Sequence, residues 1–266
     1  MNGGKILAIV EKEVADARKN KMIVISMALL PTLLVAMVLG TAYFMLYIEG
    51  EMGEAKMDED DLSIIPAELQ DMDPLHALLM LMNDQYLFYF LLIPMMMPVY
   101  IAAYSIVGEK ETKSLEPLLA TPISVWELLV GKSIAAVVPS VVLTWFSFIV
   151  LAIGGYFIMP EPVFLALIRP VWIVGMALLS PLLALLSVFS GVIVSSRMND
   201  PRAAQQVTGI FVVPIVALSL VVLAGKIFLS VAMVVMAAAV TLALDCLALY
   251  FAIKLFQRET ILTRWK

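Results

Sequence analysis

The sequence predicts an all-α polytopic membrane protein, and three observations carry that prediction. Hydrophobic residues make up 62% of the 266-residue chain and charged residues 15%, at a mean hydropathy of +1.00; soluble domains hold roughly 45–50% and about 25%. The apolar residues are gathered into six runs, each close to or beyond the about 20 residues that cross a bilayer. Finally, 14 of the 17 lysines and arginines fall on one side of the topology those runs define, the asymmetry that orients membrane helices.

The first element is read over Lys5 to Asn20. Ile6, Val10, Val14 and Ala17 recur at helical spacing with Leu7 beside them, while Glu11, Lys12, Asp16, Arg18 and Lys19 cover the other side. That pattern is an amphipathic helix lying in the membrane interface, with basic residues gathered before the first span. The six spans follow at Met22–Ile48, Tyr86–Val107, Ser133–Ile158, Trp172–Ser195, Val207–Ala224 and Ile227–Ile253. The first is longer than the apolar core of a signal peptide and lacks a small-residue cleavage site, so it is expected to remain as an anchor. Pro31, Pro94, Pro98, Pro139, Pro181 and Pro214 lie within the spans, where neighbouring groups satisfy the freed backbone. Pro94-Met95-Met96-Met97-Pro98 predicts a kink in the second span and a methionine run that packs. Gly225-Lys226 alone divides the last two spans, which form either a hairpin or re-entrant half-helices. Charge counting places both termini and the segments around Lys110 and Arg202 inside, with Lys56, Arg169 and Lys226 outside.

The connecting segments differ in character. Residues 49–85 form an acidic outer loop with 11 carboxylates and one lysine. Its Met57–Asp61 run lacks the further oxygen ligands and glycine of a calcium loop and reads as a solvated acidic face. Asp73-Pro74 can start a short helix through Met82. Residues 108–132 are a polar inner loop dense in start and stop signals. Gly108 ends the preceding run, and Glu109 and Lys113 sit at i,i+4. Glu116-Pro117 can open a short helix that Thr121-Pro122 stops. Ser124-Val125-Trp126-Glu127 is a capping box, with Ile123 and Leu128 placed as a hydrophobic staple. So many local signals imply an ordered docking element on the cytoplasmic side. The loop between the fourth and fifth spans, Ser196 to Gln206, is short and carries the turn or helix-start signal Asp200-Pro201. No soluble domain is read in the chain, so a large aqueous partner is expected to be another polypeptide.

Catalytic signals are lacking. One cysteine, Cys246, excludes an intrachain disulfide, and one histidine, His76, leaves too few ligands for a typical zinc site. There is no HExxH sequence. Trp126 to Ser133, WELLVGKS, ends like a phosphate-binding loop but has Trp126 where the first glycine belongs, so it cannot present the amide cradle. No metal, catalytic residue or nucleic-acid partner is called for. Asp245 is the one acid well inside an expected span, and an ionisable group there is costly. It stands nine residues before Lys254, about 13 Å at the helical rise. Thr241, one turn earlier, can share a hydrogen bond with it. Helix packing and a place on a transport route are both open to it.

Three stretches carry a family resemblance: AIVEKEVADARKNK followed by the span containing Leu29-Leu30-Pro31, the central GEKETKSLEPLLATPISVWELLVGK, and SSRMNDPRAAQQVTGIFVVPI from Ser195 to Ile215. Together they resemble the membrane-spanning permease subunits of ATP-binding-cassette exporters, of the type-two permease class, over nearly the whole chain. The central loop departs in having Lys110 and Lys113-Ser114 where the family often has Arg and Gly-Thr. The resemblance implies one six-span permease domain over residues 1–266, paired with a second permease chain as homo- or heterodimer in the lipid of the cell membrane. It also implies cytoplasmic ATPase subunits that carry the ATP and Mg. Within the coupling loop, Glu109, Lys110, Glu111, Lys113, Leu115, Glu116 and Leu118 are the expected partner contacts. Asp245 and Thr241 are the candidates for the transport path. A secondary transporter is the main rival, since such proteins carry intramembrane charges, broken helices and internal repeats; here one buried acid stands without a visible repeat. A non-transporting membrane scaffold is the third reading.

Overall fold

The structure, a computed structural model, describes residues 3–52, 73–111, 123–198, 201–223 and 229–255. Every element among them is helical. Helix α1 is Gly3–Lys19, α2 Lys21–Met52, α3 Pro74–Glu111 and α4 Val125–Ile158. Two short helices follow, α5 (Glu161–Leu167) and α6 (Pro170–Val174), then a π turn (Gly175–Leu179) that leads into α7 (Ser180–Arg197). Helix α8 (Pro201–Thr208) joins α9 (Val213–Leu223) through a 3₁₀ turn, Gly209–Val212, and α10 (Val231–Leu255) closes the series.

Five of these stretches are long and apolar enough to cross a membrane: Ile23–Ile48, Pro74–Val99, Trp126–Ile158, Glu161–Ser196 and Val231–Leu255. The fifth expected crossing corresponds to a shorter apolar helix, Gln206–Val222. At the helical rise it measures about 26 Å, against a hydrocarbon core of about 30 Å.

Several boundaries differ from the sequence expectation: the third crossing starts at Trp126, ahead of the expected Ser133, because its helix runs unbroken from the Ser124 cap, and three others have local reasons. The second membrane helix begins at Pro74, not Tyr86, and absorbs the separate short helix expected through Met82. Asp73 starts it: one carboxylate oxygen accepts from the backbone N–H groups of Leu75 and His76 at 2.9 and 3.2 Å. Nothing afterwards breaks it, because the polar run Asn83-Asp84-Gln85 is buried within the protein. At its other end α3 continues past Gly108 to Glu111; the apolar run ends there but the helix does not. The fourth crossing starts at Glu161, ahead of the expected Trp172, as the chain α5, α6, π turn and α7. The π turn directly precedes Pro181. In it the Ser180 N–H donates to the carbonyl of Gly175, five residues back. That wider turn relieves the clash a proline ring makes with the carbonyl four residues earlier. Pro31, Pro94, Pro98 and Pro139 lie inside continuous helices. The connection at Gly225-Lys226 and the Met57–Asp61 run lie outside the described residues.

Lipid tails are as apolar as leucine, so helices in a membrane associate by close packing and hydrogen bonds. Two buried clusters do this here. In the first, Trp172 is fully buried, with its ring 5.8 Å edge-on from Phe90 and stacked 5.5 Å from Phe148. Met95 and Met97 of α3 pack in the same cluster, as expected of the methionine run. The second cluster joins Ile9 of α1, Ile101 and Ala102 of α3, Leu128 and Leu129 of α4, Val188, Phe189 and Val192 of α7, and Ala252 of α10. Helix α3 packs most extensively on α7, and α7 in turn on α10. Helix α1 lies against the start of α4.

A candidate coupling site where α1 meets the start of α4

The start of α4 is fixed by local chemistry. Ser124 adopts an extended backbone and its hydroxyl accepts from the Glu127 N–H at 3.2 Å, while the Glu127 carboxylate accepts from the Ser124 N–H at 3.0 Å. The capping box is therefore closed in both directions. Ile123 and Leu128 join the same apolar cluster, as the staple requires. The segment Trp126 to Ser133 that superficially resembled a phosphate loop is continuous helix.

Two turns into α4, Gly131 and Lys132 bind α1. A Cβ placed on Gly131 would lie 2.7 and 2.8 Å from the Cγ2 and Cβ of Ile9, and 3.4 Å from the carbonyl oxygen of Ile6. Only glycine lets the two backbones approach so closely. Next to it, the Lys132 ammonium donates to the Glu13 carboxylate at 2.7 Å, with both side chains about 95% buried (4% and 5% exposed). Lys12, half exposed, reaches the same carboxylate oxygen at 3.4 Å. A charge that loses its partner in such surroundings costs about 3–5 kcal/mol.

The packed face of α1 differs from the stripe read in the sequence. Ile9 and Glu13 are its buried residues, Ile6, Val10, Val14 and Ala17 are half-buried, and Leu7 is 58% exposed. Sequence inspection passed over Glu13 and Lys132. The signal was available: Glu13 follows Ile6, Ile9 and Val10 at i+7, i+4 and i+3, a charge on an apolar face. Its partner, 119 residues away, was not.

Of the expected partner contacts, Glu109, Lys110 and Glu111 form the last turn of α3. Lys113, Leu115, Glu116 and Leu118 lie outside the described residues. The C-terminal half of α3 enters the cluster that holds α1 and the start of α4, through Ile101 and Ala102. Three helices thus converge at this end.

The opposite end holds a second polar assembly. The Arg169 guanidinium pairs with the Asp84 carboxylate, which is buried while the arginine remains 37% exposed. Asn83 donates to the Val163 carbonyl at 3.4 Å, Gln85 to the Tyr89 hydroxyl at 2.6 Å, and the Thr41 and Tyr86 hydroxyls are 2.9 Å apart. Asp84 is therefore a second acid within a crossing helix, in addition to Asp245.

Asp245 lies on the packed face of α10 with Val234, Ala238, Thr241 and Ala252. It is 4% exposed, and neither carboxylate oxygen has a hydrogen-bond partner. The expected bond from Thr241 does not form. That hydroxyl donates to the Ala237 carbonyl of its own helix at 2.8 Å, the usual recourse of a hydroxyl buried in a helix. Among the described residues no group of three or more His, Cys, Asp or Glu side chains could hold a metal ion.

A family model described as "ABC-2 family transporter protein" matches residues 7–256. Comparison with curated proteins gives no significant match.

Proposed function

Because the chain belongs to the ABC-2 transporter family, as a multi-pass membrane component of a transport system, we propose that it exports its substrate using ATP hydrolysed on a separate cytoplasmic ATPase subunit. The single observation that carries this reading is the convergence of α1, the C-terminal half of α3 at Ile101 and Ala102, and the capped start of α4. Glu13–Lys132 and the close approach at Gly131 bind α1 to α4. A force applied to the segment between α3 and α4 therefore moves three helices together. Glu109, Lys110, Glu111, Lys113, Leu115, Glu116 and Leu118 supply the contacts to the ATPase, which holds ATP and Mg. Six crossings, both termini on the cytoplasmic side of the cell membrane, and pairing with a second permease chain complete the arrangement. In this reading residues 1–266 act as one permease domain with α1 lying in the interface.

The charge pattern supports the orientation: the α1 end carries Lys5, Lys12, Arg18, Lys19, Lys21, Lys110 and Lys132, the inner-side signature. ATP-driven closure of the ATPases at this end would then reorient the helices between inward and outward access. The test is recovery of the neighbouring ATPase in detergent pull-down from variants Glu109→Lys, Glu111→Lys, Leu115→Trp and Leu118→Trp. Reduced recovery with normal membrane insertion is expected; full recovery in all four sinks the docking role. Labelling of Lys113→Cys by a membrane-impermeant reagent in intact cells checks the orientation, and reaction from the medium would reverse it.

A further inference from the structure

Where α1 turns back into α2, the two helices leave a crevice against α3 and α4. Its walls are Val14 and Ala17 of α1, Val24 and Met27 of α2, Ile101 of α3 and Pro139 of α4, around about 130 Å³ of space. Arg18 is the one polar residue in the lining. It follows Val14 by one helical turn, and residues at i and i+4 share one face of a helix. The arginine is exposed, so its methylene stem covers apolar wall while the guanidinium stays at the surface.

The crevice sits at the boundary between an apolar span and the charged segment that leads into it. Val24 and Met27 belong to the opening turns of one helix able to cross a membrane, Ile23–Ile48, and Pro139 belongs to another, Trp126–Ile158. Val24 is 45% exposed, so the crevice is open on its α2 side. Around its mouth, Arg18, Lys19 and Lys21 are all exposed cations. No carboxylate among the described residues forms an ion pair with any of the three, since Glu13 is held by Lys132 and Lys12. Asp16, also exposed, offsets only one of them.

This arrangement asks for an anion and a hydrocarbon joined in one molecule. A free phosphate would leave the apolar walls empty. An acidic peptide would press its backbone polar groups against those walls without hydrogen-bond partners, which is costly. An anionic phospholipid satisfies both parts, at the depth where both occur. Basic pockets between membrane helices on the cytoplasmic side bind acidic headgroups by this chemistry. The space accepts the upper part of one acyl chain, and the remainder continues along α2, where Ile25 and Leu29 are exposed.

We propose that this crevice binds one anionic phospholipid, with its phosphate on Arg18 and an acyl chain between α1, α2 and α4. The site rests on the orientation proposed above, which sets it in the inner leaflet, where anionic lipids give the surface its negative potential. The bound lipid touches four helices at once. By mass action it stabilises α1 on the bundle, and so supports the coupling end.

The experiment measures binding of the first lipid to the full chain, delipidated in dodecyl maltoside, by native mass spectrometry. The probes are dioleoylphosphatidylglycerol and dioleoylphosphatidylcholine. Wild type is expected to bind the glycerol lipid at least about tenfold more tightly than the choline lipid. Arg18→Gln should bring that preference below about threefold. Lys254→Gln removes a cation from the last turn of α10 and should leave the preference within about twofold of wild type. Val24→Trp, which fills the crevice, should weaken both lipids. Glycerol 1-phosphate in about hundredfold excess, a headgroup with no chain, should not displace the lipid. The proposal is overturned if wild type does not discriminate between the lipids, or if glycerol 1-phosphate displaces them as a soluble anion would. It is equally overturned if Arg18→Gln loses no more preference than Lys254→Gln, the mark of diffuse surface charge, or if Val24→Trp weakens neither lipid. Should Val24→Trp fail to fold, the other three results decide the matter. Detergent has no sidedness and no ATPase is present, so failure here leaves the pull-down and labelling results standing, and the converse holds.

Discussion

Two ion pairs anchor opposite ends of the molecule, and they are built differently. Glu13–Lys132 is sealed on both sides and sits beside a glycine that brings two backbones together. Asp84–Arg169 buries its acid and leaves 37% of its arginine side chain exposed. Burial raises both the cost of desolvating a pair and the cost of removing one partner. Exposure lets water and salt stand in for the missing group. The α1 end is therefore constructed to hold α1 and α4 as one unit. The other end has one pair member open to solvent, so parting it costs less; under the proposed export reading this is the side where the substrate leaves.

The sharpest way to break this contrast is to remove one partner at the sealed end. Lys132→Met should loosen α1 by at most about 3–5 kcal/mol, since the Lys12 ammonium at 3.4 Å from the same Glu13 oxygen offsets part of the loss, read as new protease sensitivity within Gly3–Lys19 and lower ATPase recovery. The double variant Glu13→Leu with Lys132→Met should regain most of that loss, because apolar replacement of a whole buried pair is often neutral or better. If the double variant is as loose as the single one, the pair is not what holds α1. Arg169→Gln ranks next, at roughly 1.5–3 kcal/mol for a hydrogen bond to a charged group. Its effect should shrink in high salt, measured as a shift in thermal unfolding in detergent, whereas the Lys132→Met effect should not.

Gly131→Ala tests the close approach without touching charge. The new methyl meets Ile9 below contact distance, and overpacking of this kind costs about 1–3 kcal/mol. Combining it with Ile9→Ala should restore α1 docking, as judged by cysteine cross-linking between α1 and α4. The smallest effect is expected from Ser124→Ala, about 1 kcal/mol for loss of an N-cap. It would show as faster hydrogen exchange confined to the first turn of α4.

What the sequence revealed, and what it withheld, divides along the same line between local and distant. The long apolar runs and the Ser124–Glu127 box were legible because their causes lie within a few residues of one another. The start of α3 was misjudged because Asn83-Asp84-Gln85 resembles a solvated loop until its partners are known. Those partners, Val163 and Arg169, come from a segment about 80 positions later. The Gly131–Ile9 contact and the Glu13–Lys132 pair were hidden for the same reason. Asp245 was visible as an anomaly, but its lack of any partner required the packing of α10 on α7.

Helix α3 runs the length of this machine. Its 38 residues measure about 57 Å at the helical rise, so a tilt of about 5° about one end swings the other through roughly 5 Å. The Asp84–Arg169 latch sits near one tip, and the turn ending at Glu111 is the other. Asp84 lies 27 residues from Glu111, about 40 Å at the helical rise, so under the proposed reading the same tilt imposed at the Glu111 end shifts the latch by roughly 3–4 Å.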